Sequence, residues 1–181
     1  PLADLFSTSD ERALEAQTQE RVMMLPVSEL HDFPGHPFQV RDDEEMEKLA
    51  ESITQHGVLM PGLVRPRAAG GYEIVAGHRR KFASMKAGIR EMPVIVRDMD
   101  DDTAVILMVD SNVQRENVLP SEKARAYKMK LDAMKRQGER TDLTSAGIRQ
   151  KLSSVQKIAD DAGEGKTKIQ QYIKINDLIP E

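Results

Sequence analysis

Residues 72–80 read Tyr-Glu-Ile-Val-Ala-Gly-His-Arg-Arg, and the change of character at Gly77 decides the fold class. Tyr72, Glu73, Ile74 and Val75 combine aromatic and β-branched residues in the manner of a strand. Gly77 ends that pattern abruptly. From His78 to Lys86 the period is helical, with Phe82 and Met85 on one side and Gly88 as the stop. Working outward, Leu63, Val64 and Arg65, with a turn at Gly70 and Gly71, supply the partner strand of a β-hairpin. Pro93, Val94, Ile95, Val96 and Arg97 supply another strand. Upstream, Asp42, Asp43, Glu44 and Glu45 place acids where a helix begins, and Met46, Leu49, Ala50 and Ile53 follow at helical spacing up to Gly57. The stretch from His31 to Pro37, with Pro34 and Gly35, reads as a loop. Val22, Met23, Met24 and Leu25, ended by Pro26, read as a first strand. The first hundred residues are therefore predicted to be α+β.

After the acidic run Asp98 to Asp102 no strand pattern follows. Helical periodicities occupy about 103–112, 121–137, 142–152, 155–162 and 166–178, divided by Gly138, Gly147 and the Gly163, Glu164, Gly165 turn. Pro120 interrupts the pattern, so the expected organisation is an arm over 1–20, an α+β domain over 21–118 and an all-α domain over 119–181. The arm, rich in Ser, Thr, Gln and Glu, is expected to be mobile. Charge divides in the same way. Residues 1–118 carry 13 basic and 21 acidic side chains, whereas 119–181 carry 13 basic and 9 acidic. The overall charge of −4 speaks against unselective coating of nucleic acid, which needs phosphate neutralisation along the whole surface. A basic face on the helical part remains available.

Among 181 residues there is no Cys, which excludes a disulfide framework, a thiolate metal site, a cysteine nucleophile and thiol redox chemistry. No apolar run reaches the roughly 18–20 residues of a membrane span, and no signal-type segment opens the chain. A soluble cytoplasmic protein without membrane partners is expected. Pro1 at one end and Pro180–Glu181 directly after a helical pattern read as the ends of a cut chain, with more sequence expected downstream.

Residues 155–174 fit the helix-turn-helix template. Ile158, Ala159 and Ala162 lie on the inner face of the first helix, Gly163 makes the turn, and Ile169, Tyr172 and Ile173 hold the second helix against it. Ser153 and Gln156 are spaced as a capping box at the entry. The outward positions are Lys166, Thr167, Lys168, Gln170, Gln171 and Lys174. Lys contacts phosphates or guanine edges and Gln pairs with adenine, so this face suits a DNA groove. An ordinary helical hairpin with a solvated polar face is the plain alternative.

Two further clusters carry charge chemistry. Gly77, His78, Arg79 and Arg80 stand between a strand end and a helix start, where glycine permits close approach, amides are unsatisfied and two guanidiniums can neutralise a polyanion. A solvated Arg pair is the alternative. Asn112, Val113, Gln114, Arg115, Glu116 and Asn117 end the helix that begins near Thr103; they suit either a polar helix terminus and linker or a second lining of the same anion pocket.

In order and spacing these features resemble the ParB/Spo0J family of chromosome and plasmid partition proteins. The resemblance covers roughly residues 22–181 and is carried most specifically by the Arg79–Arg80 loop and the Gln114, Arg115, Glu116, Asn117 box before Pro120. It implies a small mixed-sheet N-terminal domain of the ParB/sulfiredoxin type, followed by a helix-turn-helix domain that recognises a palindromic centromere-like site on double-stranded DNA. It further implies CTP and Mg²⁺ as cofactors, with Gly77 to Arg80 cradling the triphosphate and Asn112, Gln114, Arg115 and Glu116 helping to hold phosphates. Asn112 is the implied metal ligand. Two protomers would close over the nucleotides into a sliding clamp, reset by slow CTP hydrolysis, with a ParA-type ATPase as partner and the nucleoid or a plasmid as location.

This chain departs from the family pattern at three places. Ser111 stands where the family carries Glu, and a hydroxyl is a poorer Mg²⁺ ligand than a carboxylate. His78 replaces a common Glu, and Met60 a frequent Gln. Two competing functions follow from the same residues. One is a phosphotransferase or nuclease on the shared fold, for which Glu73 and His78 are the nearby candidate bases, each read as a surface or loop residue. The other is a nucleotide-independent helix-turn-helix regulator of nucleoid occlusion or transcription. Sulfiredoxin activity is excluded by the missing cysteine.

Overall fold

A computed structural model describes residues 21–115, 118–141 and 147–178; the N-terminal arm, Glu116 and Asn117 lie outside the described residues. Five strands form one mixed sheet: β1 (Val22–Pro26), β2 (Leu30–His31), β3 (Gly62–Pro66), β4 (Tyr72–Ala76) and β5 (Glu91–Val96). Their order across the sheet is β1-β5-β3-β4-β2. The predicted hairpin is present, with β3 antiparallel to β4 and a register irregularity between Leu63 and Val64. β5 runs parallel to β3, which requires the crossover that β4 and the helix His78–Lys86 provide. β2 lies at the start of the stretch read as a loop. Two residues are too few to show a period, and β2 exists because it finds β4 as a parallel partner.

Helix α1 (Glu44–His56) begins where its acids predict. The Asp43 carboxylate accepts the Met46 N–H, and Gly57, at φ +70°, ends the helix. Its apolar face, Met46, Ala50 and Ile53, meets Ala83 of α2 (His78–Lys86). One sheet cluster gathers Leu25, Leu30, Val64, Ile74, Met92 and Val94. Another begins at Phe33, Phe38 and Val75, continues through Met108 and Val109 of α3 (Asp101–Val113), and reaches Tyr127 and Leu131 of α4 (Pro120–Thr141). It ends on Ile158 and Ala159 of α5 (Gly147–Ala162) and Ile169 of α6 (Lys166–Leu178). The helical part is thus joined to the sheet through α3 by packed side chains.

Three boundaries differ from expectation. Gly138 lies inside α4 instead of ending it, since glycine costs only about 1 kcal/mol in a helix and α4 packs on both α3 and α6. The helices expected at 142–152 and 155–162 are one helix from Gly147, with 142–146 outside the described residues. Ser153 is consequently interior to α5 and not at a helix entry, and Gln156 Nε2 donates to Asp160, one turn on. At the entry to α4 the capping logic appears where it was not sought. Pro120 is the first helical residue, and Glu122 two residues on reaches back to accept the Leu119 N–H at 3.0 Å.

Candidate functional site

The anion-binding loop rests on one backbone constraint. Gly77 caps α2 at φ +117°, and no side chain satisfies the first amides of that helix. A Cβ at this position would lie 3.2 Å from the Gly62 Cα and 3.4 Å from the Arg80 Nη2. Gly77→Ala is therefore expected to cost about 1–3 kcal/mol of stability, read as a lowered urea midpoint with unchanged slope.

Two adjoining clefts open beside this loop. The smaller, about 190 Å³, is lined by Gly77, His78, Arg79, Arg80, Ser111, Asn112 and Arg115, together with His36. The larger, about 290 Å³, shares Arg79 and Arg115 and adds Arg41, Asp43, Glu45 and Glu122. The end of α3 and the start of α2 thus face one another, 30 or more residues apart in sequence. Their cations are differently engaged. Arg80 donates to the Met60 carbonyl at 2.7 Å and the Pro61 carbonyl at 2.5 Å, which anchors the approach to β3. Arg79 reaches Glu45 at 3.2 Å, and Arg115 donates to Asn112 Oδ1 at 3.1 Å. Burial pulls the Arg80 guanidinium below its usual range, and burial followed by the neighbouring Arg79 charge does the same to Arg115. Crowded, partly desolvated cations of this kind are relieved by a bound anion.

His78 occupies the first turn of α2, 7% exposed, with its ring stacked on His36 at 3.8 Å between centroids. Burial, then the His36 charge, pushes His78 down to about 3. Neither it nor Glu73 is the surface residue expected. Glu73 is buried and held by Arg65 at 2.5 Å, and that guanidinium also pairs with Asp101 at 2.7 Å. A carboxylate so occupied is not free to act as a base in the clefts.

The Asn112 to Arg115 box is only partly drawn into the site. Asn112 and Arg115 line the smaller cleft, but Gln114 turns the other way and donates to the Asp161 carbonyl of α5 at 3.3 Å. Glu116 lies outside the described residues. The donor set does not fit a dedicated Mg²⁺ cage. Asn112 Oδ1 already accepts from Arg115, and no group of three His, Asp or Glu suited to a metal exists among the described residues. The residues fit the negative charge of a triphosphate.

Sequence reasoning missed His36, Arg41 and Glu122. Glu122 Oε1 accepts the Gln39 N–H at 3.0 Å while Oε2 holds Leu119, so it ties the loop before α1 to the start of α4. Its signal was present as a Glu three residues after the cap. His36 carries no local signal, since its partner is 42 positions away.

On the helical side, Gly163 turns the chain at φ +65°, and the Glu164 N–H donates to the Ala159 carbonyl at 3.0 Å. Ile158, Ala159 and Ile169 are buried between α5 and α6, with Tyr172 beside Tyr127. Thr167, Lys168, Gln170, Gln171 and Lys174 are exposed and Lys166 is half-buried, so the predicted outward positions form one polar face. Lys168 leans towards Glu164 at 3.5 Å, and Lys123 of α4 meets the same carboxylate at 3.0 Å. Behind the unit, Lys130 of α4 bridges Asp110 of α3 and Asp161 of α5. No helix among the described residues is long and apolar enough to cross a membrane.

A family model described as the ParB N-terminal domain matches residues 11–113. The probable chromosome 1-partitioning protein ParB of Deinococcus radiodurans is 41% identical over 128 residues, which are 71% of this chain and 44% of that protein. The nucleoid occlusion protein of Listeria innocua is 30% identical over 159 residues, 86% of this chain and 54% of the relative. Among solved structures, the C-terminally truncated chromosome-partitioning protein ParB from Caulobacter crescentus, complexed to the centromeric parS site, is 26% identical. It covers 88% of this chain and 73% of its own, with a TM-score of 0.59. The chain spans about half the length of the curated relatives it matches.

Proposed function

This chain belongs to the ParB family, and from that premise we propose that it is a DNA-binding clamp for segregation of a chromosome or plasmid, with its hold on DNA answering to CTP. One observation carries the reading. Gly77, Arg79 and Arg80 at the start of α2 and Asn112 and Arg115 at the end of α3 border one cleft, and α3 itself packs against the helices that present the groove-reading face. A triphosphate there changes the charge balance at one end of α3, while Lys130 and Gln114 tie that helix to α5. Mg²⁺ enters this scheme only as the nucleotide's own counterion, because Asn112 Oδ1 is taken by Arg115. Recognition of a palindrome requires two copies, each presenting α6 to one half-site.

Calorimetric titration with each of the four nucleoside triphosphates tests the nucleotide part. CTP is expected to give saturable heat and the others little, and absence of heat with CTP would remove the reading. For the DNA part, Lys168→Ala and Gln171→Ala are each expected to weaken binding to the cognate site by about 1–3 kcal/mol where they reach base edges. Fluorescence anisotropy across a salt series separates the two. The lysine variant flattens the salt dependence if its contact is a phosphate, whereas the glutamine variant relaxes base selectivity.

The likeness to a nucleoid occlusion protein favours one further reading, a helix-turn-helix regulator of nucleoid occlusion. Dissociation from closed circular DNA that is indifferent to CTP would select a nucleotide-independent form of it. The phosphotransferase reading is weakened by Arg65, which occupies the carboxylate of Glu73.

A further inference from the structure

The His36–His78 pair is the feature of the cleft that the nucleotide reading leaves unexplained. Both rings border the smaller cleft, together with Arg79, Arg80 and Arg115. His36 is held by the backbone of Phe38, yet its Nε2 is buried and without a hydrogen-bond partner, as are both nitrogens of His78. Three shielded imidazole nitrogens without partners in the wall of a cationic cleft are costly to keep. They are polar groups that a ligand in the cleft meets once the rings turn towards it.

A neutral imidazole offers an ionised phosphate one donor and one repelling lone pair, whereas an imidazolium offers two donors. Stacked rings at 3.8 Å disfavour two charges, so the pair accommodates a single proton. In the free chain Arg79 and Arg80 share the cleft wall with the pair, and four further charged groups act on it. Asp32, in the loop after β2, favours the proton on both rings; Lys81 of α2 opposes it at His78, Arg115 at the end of α3 opposes it at both, and Glu122 of α4 favours it at His36. Burial outweighs these and holds the pair neutral. A polyanion beside the rings reverses the sign of the local potential.

We propose that the stacked His36–His78 pair is the proton-linked contact of this cleft: docking of a triphosphate draws one proton from solvent onto the pair, and the resulting imidazolium donates to a phosphate oxygen. The inference rests on the nucleotide reading above and deepens it into a regulation of the same site by pH. The sign follows from linkage. If the bound state holds one more proton than the free state, affinity falls by up to about tenfold per pH unit as pH rises towards the value at which the bound pair gives up its proton, and levels off above it.

The test is calorimetric titration of the 181-residue chain with CTP and, separately, inorganic triphosphate. Mg²⁺ in excess keeps the terminal phosphate ionised, and buffers of different ionisation enthalpy are used between pH 6.5 and 8. Heat that varies with the buffer, with a slope approaching one proton taken up for both probes, supports the proposal. In the same titrations His78→Gln is expected to bind with buffer-independent heat and a flat pH profile. As a readout that needs no variant, the Cε1–H signals of the pair move on addition of CTP by an amount that sums to one imidazolium, while those of the other two histidines stay in place. CTP binding with buffer-independent heat in the unaltered chain overturns the proton linkage and leaves the nucleotide site standing. Uptake that persists when His36 and His78 are both replaced by Gln assigns the proton elsewhere and overturns the pair. No binding of either probe at any pH overturns both readings together.

Discussion

Arg79→Ala is expected to weaken CTP binding by about 10- to 150-fold while leaving the melting temperature within about 2 °C, since a charge-assisted contact is worth about 1.5–3 kcal/mol and an exposed ion pair little. The choice of Arg79 over its neighbour follows from where each guanidinium is spent. Arg80 holds the carbonyls of Met60 and Pro61, so its removal would loosen the approach to β3 and confuse binding with folding. Arg79 borders both clefts, and its protein partner is Glu45, whose side chain is largely exposed. Arg79→Lys is expected to fall between wild type and alanine, because an ammonium keeps the charge but loses the planar fork. Calorimetry with CTP, paired with a thermal melt of each variant, gives both readings. An unchanged affinity in Arg79→Ala would move the nucleotide away from these clefts.

Lys130→Ala is expected to lower stability by about 2–3 kcal/mol, which for a chain of this size corresponds to roughly 5–10 °C in melting temperature. Lys130 is 2% exposed and sits between Asp110 and Asp161. Removing it leaves two carboxylates facing one another without a cation. The expected loss stays below that of a fully buried pair because both aspartates are 39% exposed and can draw on water. The origin of the loss can be separated from simple loss of volume. Lys130→Met alone should remain destabilising, whereas Lys130→Met combined with Asp110→Asn and Asp161→Asn should recover most of it, since the penalty lies in the unpaired charges. Differential scanning calorimetry of the single and triple variants tests this, and a triple variant as unstable as the single one would place the effect in packing.

The legible parts of this molecule are those whose signal lies within a few residues. The acids before Met46, the glycine at 57, the hairpin around Gly70 and Gly71, and the inner and outer faces of the helix-turn-helix all follow from spacing within one or two turns or strands. The misread parts share one cause. Gly138 and Ser153 read as a break and a cap on local propensity, yet both lie inside helices, where those small preferences are overridden. Gln114 was grouped with Asn112 and Arg115 because it is adjacent in sequence. On the last turn of a helix, however, a shift of two positions points a side chain to a different face, and Gln114 meets α5.

The amino-acid order by itself determined four of the five strands and the places of the helices, where the chain turns from strand to helix at Gly77, and which face of the last helix is polar. These depend on backbone freedom and on the periodicity of apolar side chains, which act over short separations. The tertiary structure alone decided that Arg115 joins Arg79, that His36 stacks on His78, that Glu73 is locked by Arg65, and that Lys130 ties α3 to α5. Such meetings depend on strand order β1-β5-β3-β4-β2 and on which helix faces the shared apolar cluster buries. Burying that cluster is a property of the whole chain, because each helix places its charged residues only after its apolar stripe has found a partner.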